Sequence, residues 1–189
     1  DMDNIKDRRD KADKTDYQSL MARRIRKILL ICNSYDGYAL EEDGRLESQI
    51  NQEYSGLNIS NPPTITRVKT TVEALELIGK TDDFDLIITM YNVGELDVFG
   101  FSKIVKRDFK DTPVILLTNF TEKVARKIDE EDRSAIDYVF FWHGSADLII
   151  AIIKLIEDQM NADHDILEVG VQAILLVEAA VRYYWTDLP

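Results

Sequence analysis

One cysteine, Cys32, is all that the 189-residue chain contains, which excludes an intrachain disulfide and any thiolate metal cluster. That scarcity fits a reducing, cytoplasmic setting. Histidine is nearly as rare. His143 and His164 are the only two, far apart and without cysteine partners, so no metal site is expected. His143, beside Trp142, reads as a loop residue capping a backbone group, and His164 as a solvated one. Cys32 lies at a strand end with no cation beside it in sequence, which marks an inert small apolar residue. No apolar run approaches the ~20 residues needed to cross a bilayer, and no signal peptide is expected from these residues. Gly94 and Gly100 are followed by neither Lys-Ser nor Lys-Thr, so a phosphate-cradling loop is missing. Glu41-Glu42-Asp43 lacks the alternating ligand spacing of a calcium loop and reads as a solvated helix face. No Ser-His-Asp set stands out.

Positive charge is scarce too: 23 Lys and Arg stand against 35 Asp and Glu, a net charge of −12. Residues 1–27 are the exception, with nine Lys/Arg against six Asp, so the remainder carries −15. An acidic body repels phosphate backbones, and nucleic acid is not expected as a partner. The basic stretch alternates with Asp, the pattern of a solvated face and not of a membrane anchor. The chain opens on Asp1, which raises the expectation of an excised fragment.

What is present is an alternation of short apolar runs with amphipathic stretches. Ile28-Leu29-Leu30-Ile31-Cys32 is a run of the kind buried on both faces of a parallel sheet. Leu46, Ile50, Tyr54 and Leu57 then recur at helical spacing until Asn61-Pro62-Pro63 ends the helix. Thr64–Val68 alternates and is β-branched, a strand nearer the sheet edge. Thr70-x-x-Glu73 is a capping box opening a helix with Val72, Leu75 and Ile78 on one face. Asp85–Met90 is the next strand, and a loop with Gly94 leads to a helix bearing Phe101 and Val105. Pro113–Thr118 is the fourth strand, followed by a Thr121-capped helix with Val124 and Ile128. Ile136–Phe141 is the fifth, and Ser145 caps a helix running to about Gln159. Five β–α units in succession predict a five-stranded parallel sheet, doubly wound, with N- and C-terminal extensions. The expected organisation is a polar lead-in over 1–24, one domain over 25–160, and 161–189 as a linker with the truncated start of a second repeat. Ala173–Ala180 echoes Lys27–Ser34, which carries that last expectation.

The last helix is unusual. Leu148 to Ile156 is apolar except Lys154. Leu148, Ile149, Ile152 and Ile156 suit an inner face, which leaves Ile150 and Ile153 pointing outward as a candidate interface.

The five β–α units over about residues 25–160 resemble the receiver (CheY-like, flavodoxin-like) domains of two-component signalling. Asp137–Phe141 with Ser145–Ile149 looks like the last strand and helix of a receiver, and Pro113–Thr118 like its fourth strand. A receiver holds Mg²⁺ with two carboxylates after the first strand and a phosphoacceptor Asp after the third. A Lys after the fifth strand and a Thr/Tyr switch pair complete it. Carried onto this chain, the acidic pair falls at Cys32 and Asn33, the phosphoacceptor at Met90 and the Lys at Phe141. Only the switch pair matches, as Thr118 and Tyr138. The resemblance therefore implies a pseudo-receiver with no catalytic residue, no cofactor and no metal. Its expected partners are another protein, a second copy, or neighbouring domains of the parent chain.

Ser34-Tyr35-Asp36, Glu41–Glu47, Leu57–Pro63, Phe141–Gly144 and Ala173–Tyr184 also look like the receiver-type region of large bacterial proteins similar to phosphoenolpyruvate synthase or pyruvate phosphate dikinase. That resemblance implies a regulatory or scaffolding segment of such an enzyme. A third alternative is small-molecule sensing in the pocket of Asn33, Met90, Thr118 and Phe141.

Overall fold

The computed structural model describes residues 23–34, 45–56, 61–81, 83–118, 122–142 and 146–167. Within them strands and helices alternate along the chain: β1 (Lys27–Ile31), α1 (Arg45–Gly56), β2 (Thr64–Val68), α2 (Thr71–Thr81), β3 (Leu86–Met90), α3 (Val98–Asp108), β4 (Val114–Thr118), α4 (Glu122–Glu130), β5 (Tyr138–Phe141) and α5 (Ala146–Leu167). All strand pairs are parallel, and the order across the sheet is β2-β1-β3-β4-β5. This is the doubly wound α/β sheet that the alternation predicts.

The strand sequences account for their places in the sheet. β3 and β4 are buried at every position, and β1 at all but Lys27. Their runs of Ile, Leu and Val have no polar face to offer solvent, so they need helices on both sides. β2 and β5 are only partly buried, as edge strands are, and β2 accordingly mixes Thr and Arg with its apolar residues.

The helices show where pattern and packing part. α1 buries Leu46, Ile50 and Tyr54 as expected, while Leu57 lies outside the described residues. In α2 the buried stripe is Thr71, Ala74 and Ile78. The expected stripe through Val72 and Leu75 is corrected: Val72 is 48% exposed and Leu75 half-buried. Small residues win the inner face because they let the helix approach the sheet closely. There the buried Thr71 hydroxyl donates to the Leu96 carbonyl at 2.8 Å. Thr70 caps α2, accepting from Glu73 N–H at 3.1 Å, and Glu73 accepts in turn from Lys69 N–H at 2.9 Å. The loop that meets this helix turns at Gly94, with φ +128°, and a Cβ there would lie 3.2 Å from Thr70 Cβ. A side chain there would strain the backbone and crowd Thr70.

α3 is capped by Asp97, which accepts from the N–H groups of Phe99 and Gly100 at 2.9 and 2.8 Å. β5 starts two residues later than expected, because Ile136 N–H closes a turn onto the Arg133 carbonyl. α5 runs to Leu167 instead of stopping near Gln159. Thr121 and Ser145, expected as caps, lie outside the described residues, as do residues 1–22 and the proposed repeat over 173–180.

Two compact units divide the chain, one of residues Ile25–Ile153 and one of Asp1–Arg24 with Lys154–Pro189. The first holds the sheet. Its last helical turns bring a correction: Ile150 and Ile153, expected to face outward, are only 7% and 1% exposed. A helix apolar nearly all round is one that is buried on both sides. In the second unit Ile156, Glu157 and Asn161 are buried.

Candidate functional site at the C-terminal strand ends

In an open α/β sheet the ligand-binding edge lies beyond the carboxyl ends of the strands, where strand order reverses. Here the reversal falls between β1 and β3. Register fixes what stands along that edge. Ile31 is level with Thr89, Met90 with Leu117 and Thr118 with Phe141. Each ladder then continues one step further. Cys32 N–H donates to the Val68 carbonyl at 3.0 Å, Tyr91 N–H to Leu117 at 3.0 Å and Trp142 N–H to Thr118 at 2.9 Å. The sheet thus brings Cys32, Met90, Thr118 and Phe141 to one row of strand ends, with Asn33 just beyond.

Of these, Cys32, Met90 and Thr118 are buried, and Asn33 and Phe141 are half-buried. Tyr138 belongs lower. It is level with Ile115, three positions before Thr118, or about 10 Å along the strand. Its ring is half-buried and stacks on Phe140, with centroids 6.0 Å apart and planes at 24°. Side chains two apart on a strand share a face, which accounts for the stack.

Glu95 and Asp97 lie in the β3–α3 loop that leaves this edge. Glu95 is exposed, and Asp97 is committed to capping α3. No group of three or more His, Cys, Asp or Glu side chains capable of holding a metal ion occurs among the described residues. Residues 35–44 and His143 lie outside them.

Tyr91 is the residue that pattern reading passed over. It follows Met90 directly and packs edge-to-face on Phe99, 6.5 Å between centroids at 73°. It sits against the buried cluster of Val98, Phe99, Leu116 and Ile128. Burial raises the pKa of its phenol, and the negative charges of Glu131 and Asp97 raise it further. The signal in sequence was an aromatic residue directly after a mostly apolar strand. The row itself offers a thiol, an amide, a thioether, a hydroxyl and an aromatic ring, and no carboxylate.

No family model matches the chain and no match was found among curated proteins, so the resemblance to phosphoenolpyruvate synthase-like proteins finds no support there. Solved structures do match. A response regulator receiver domain from Clostridium thermocellum superposes with a TM-score of 0.53 at 14% identity, covering 73% of this chain and 98% of that one. The N-terminal domain of a response regulator/sensory box/GGDEF three-domain protein from Carboxydothermus hydrogenoformans gives 0.51 at 20%, covering 73% and 98%. A streptococcal protein, described as of a novel family of redox sensors evolved from two-component response regulators, gives 0.55 at 15%, covering 79% and 56%. At these identities the likeness is one of fold: the chain has the CheY-like α/β architecture of receiver domains. No helix among the described residues is long and apolar enough to cross a membrane.

Proposed function

We propose that this chain is a receiver-like regulatory domain that has given up phosphoryl transfer and acts through protein contacts. The contacts are made with neighbouring domains of its parent chain or with a second copy, in a cytoplasmic setting. The observation that carries the reading is the make-up of the strand-end row. Cys32 and Asn33 stand where a receiver's acidic pair would be, Met90 at its phosphoacceptor and Phe141 at its lysine. Phosphoryl transfer to an aspartate needs a carboxylate acceptor, a divalent cation in an oxygen cage and a nearby positive charge. Without them the scaffold keeps its shape and its surfaces, and binding is what is left for it to do. The streptococcal neighbour, described as a redox sensor evolved from response regulators, supports the view that this fold takes on tasks beyond phosphotransfer. The small-molecule alternative has less to stand on. Met90 and Thr118, 3% and 4% exposed, leave little surface for a ligand.

The test is incubation of the full chain with acetyl phosphate, and separately with beryllium fluoride, each with Mg²⁺. Intact mass without a phosphate adduct, together with an unshifted melting temperature, is the expected result. A phosphorylated species, or a magnesium-dependent rise in melting temperature, overturns the reading.

A further inference from the structure

Asn161 lies far along α5, only 1% exposed, where an amide side chain has no water to satisfy it. Its carboxamide is instead engaged on three sides. Nδ2 donates to the Arg23 carbonyl and to the Glu157 carbonyl, both at 2.7 Å, and Oδ1 accepts from Arg23 N–H at 2.8 Å. Both donors of the amide are thereby used. The bond to Glu157 is a helical back-bond to the residue four earlier, which fixes the rotamer. The other two take the N–H and the C=O of one residue, as a neighbouring strand would. Asn161 therefore acts as a one-residue strand for the segment entering β1, across 138 positions of sequence. Three residues on, that same segment is held a second time, by Asp85 Oδ2 accepting from Arg26 and Lys27 N–H at 2.7 and 2.9 Å. The Asp85 bonds are exposed, whereas Asn161 is buried.

We propose that Asn161 is a latch that couples the N-terminal flank to the far half of α5, so that whatever displaces one flank is felt by the other. This goes beyond the proposed function, since it concerns how the segment entering β1 and the far half of α5 communicate and not what the domain binds. With the latch closed, Arg23 and the Glu157–Asn161 turn move as one body. With it open, the lead-in to β1 keeps the bonds of Arg26 and Lys27 N–H to Asp85 and of Thr64 N–H to the Arg26 carbonyl. The coupling is reciprocal by linkage, so loosening either side must loosen its counterpart.

Amide exchange of the full chain, read residue by residue in NMR spectra, tests this. Asn161→Ala removes two buried bonds to Arg23, and the Arg23 amide should exchange at least ~10-fold faster, while Leu29 and Ile88 in the sheet keep their rates. Asn161→Leu keeps the volume without the hydrogen bonds and should accelerate Arg23 as much. Arg23→Pro deletes the donor from the other side and should speed exchange over residues 158–162. The proposal is overturned if Asn161→Leu restores Arg23 protection, because packing then explains the effect. It is equally overturned if the sheet amides accelerate along with Arg23, or if Arg23→Pro leaves the helix amides unchanged.

Discussion

The two ends of the strands use acidic residues in opposite ways. At the amino ends Asp85 and Asp137 occupy equivalent places, each immediately before a strand and level with the start of its neighbour. Asp85 N–H donates to the Lys27 carbonyl at 2.9 Å and its carboxylate accepts from Lys27 N–H at 2.9 Å. Asp137 N–H donates to the Val114 carbonyl at 2.9 Å and its carboxylate accepts from Val114 N–H at 2.7 Å. Parallel neighbours cannot exchange both backbone bonds with the same opposite residue, so a strand start leaves an N–H without a partner. The aspartate side chain supplies it, twice, by the same geometry. Lys106 adds charge to the second copy, 2.8 Å from Asp137, and Lys27 pairs with Asp83 beside the first. At the carboxyl ends the row is Cys32, Met90, Thr118 and Phe141, with no carboxylate among them. Aspartates thus fasten the sheet at its amino edge, while the four residues of the carboxyl-edge row carry none.

The sharpest way to break that contrast is to move a carboxylate across it. Met90→Asp places an unpaired charge at a site 3% exposed, and should cost about 3–5 kcal/mol at neutral pH. Urea unfolding measures this. Burial raises the pKa of the new carboxyl, so part of the loss should return as pH falls. The variant should still take no phosphoryl group from acetyl phosphate, because one carboxylate does not assemble an octahedral cation site. Phosphorylation of this single variant would show that the remaining ligands were already present.

At the other edge, Asp137→Ala and Asp85→Ala should each cost about 1.5–3 kcal/mol, the range for a hydrogen bond to a charged group. The two sites share no partner, so the double variant should show nearly additive losses in the same unfolding measurement. Marked non-additivity would mean that the two fastenings are one network. Thr70→Ala, which removes the α2 cap, should cost about 1 kcal/mol and leave the phosphodonor response untouched. Its midpoint in urea should move with no change in slope.

The smallest effect separates surface charge from both edges. Lys103 lies 2.9 Å from Asp132. With Ser134 it lowers the Asp132 pKa from 3.8 to about 2. A carboxyl whose pKa is depressed on folding adds stability above its unfolded pKa and loses it as pH falls through the folded value. The contribution should thus fade between about pH 4 and 2. Lys103→Met should move the Asp132 titration, followed by carboxyl NMR, back toward the ordinary value, with little change in melting temperature at pH 7 because the pair is exposed.

Much of the architecture was legible before any coordinates. Ile28–Cys32, Asp85–Met90 and Pro113–Thr118 read as strands because short, mostly apolar runs of this kind are satisfied between two layers. The residue types of the strand-end row were legible too, since Met90 has no side-chain oxygen and its neighbours Thr89 and Tyr91 no carboxylate. The face of α2 was not: Val72 looked like core, and Thr71 with Ala74 took the place because they are small. Nor was the cover over Ile150 and Ile153. An apolar helix announces that it must be buried on both sides, and periodicity does not tell what will bury it.

By itself the sequence determined the class of fold, the number and type of strands, and the absence of carboxylates at residues 32, 33 and 90. All three follow from local matters, hydrophobic period and side-chain chemistry, that each segment carries with it. The tertiary structure alone decided that Asp85 and Asp137 serve as paired fastenings, that Tyr91 sits beside two negative charges, and that Asn161 holds Arg23. Those are hydrogen bonds and fields between residues up to 138 positions apart, and their strength depends on distances of a few ångströms that no single segment specifies.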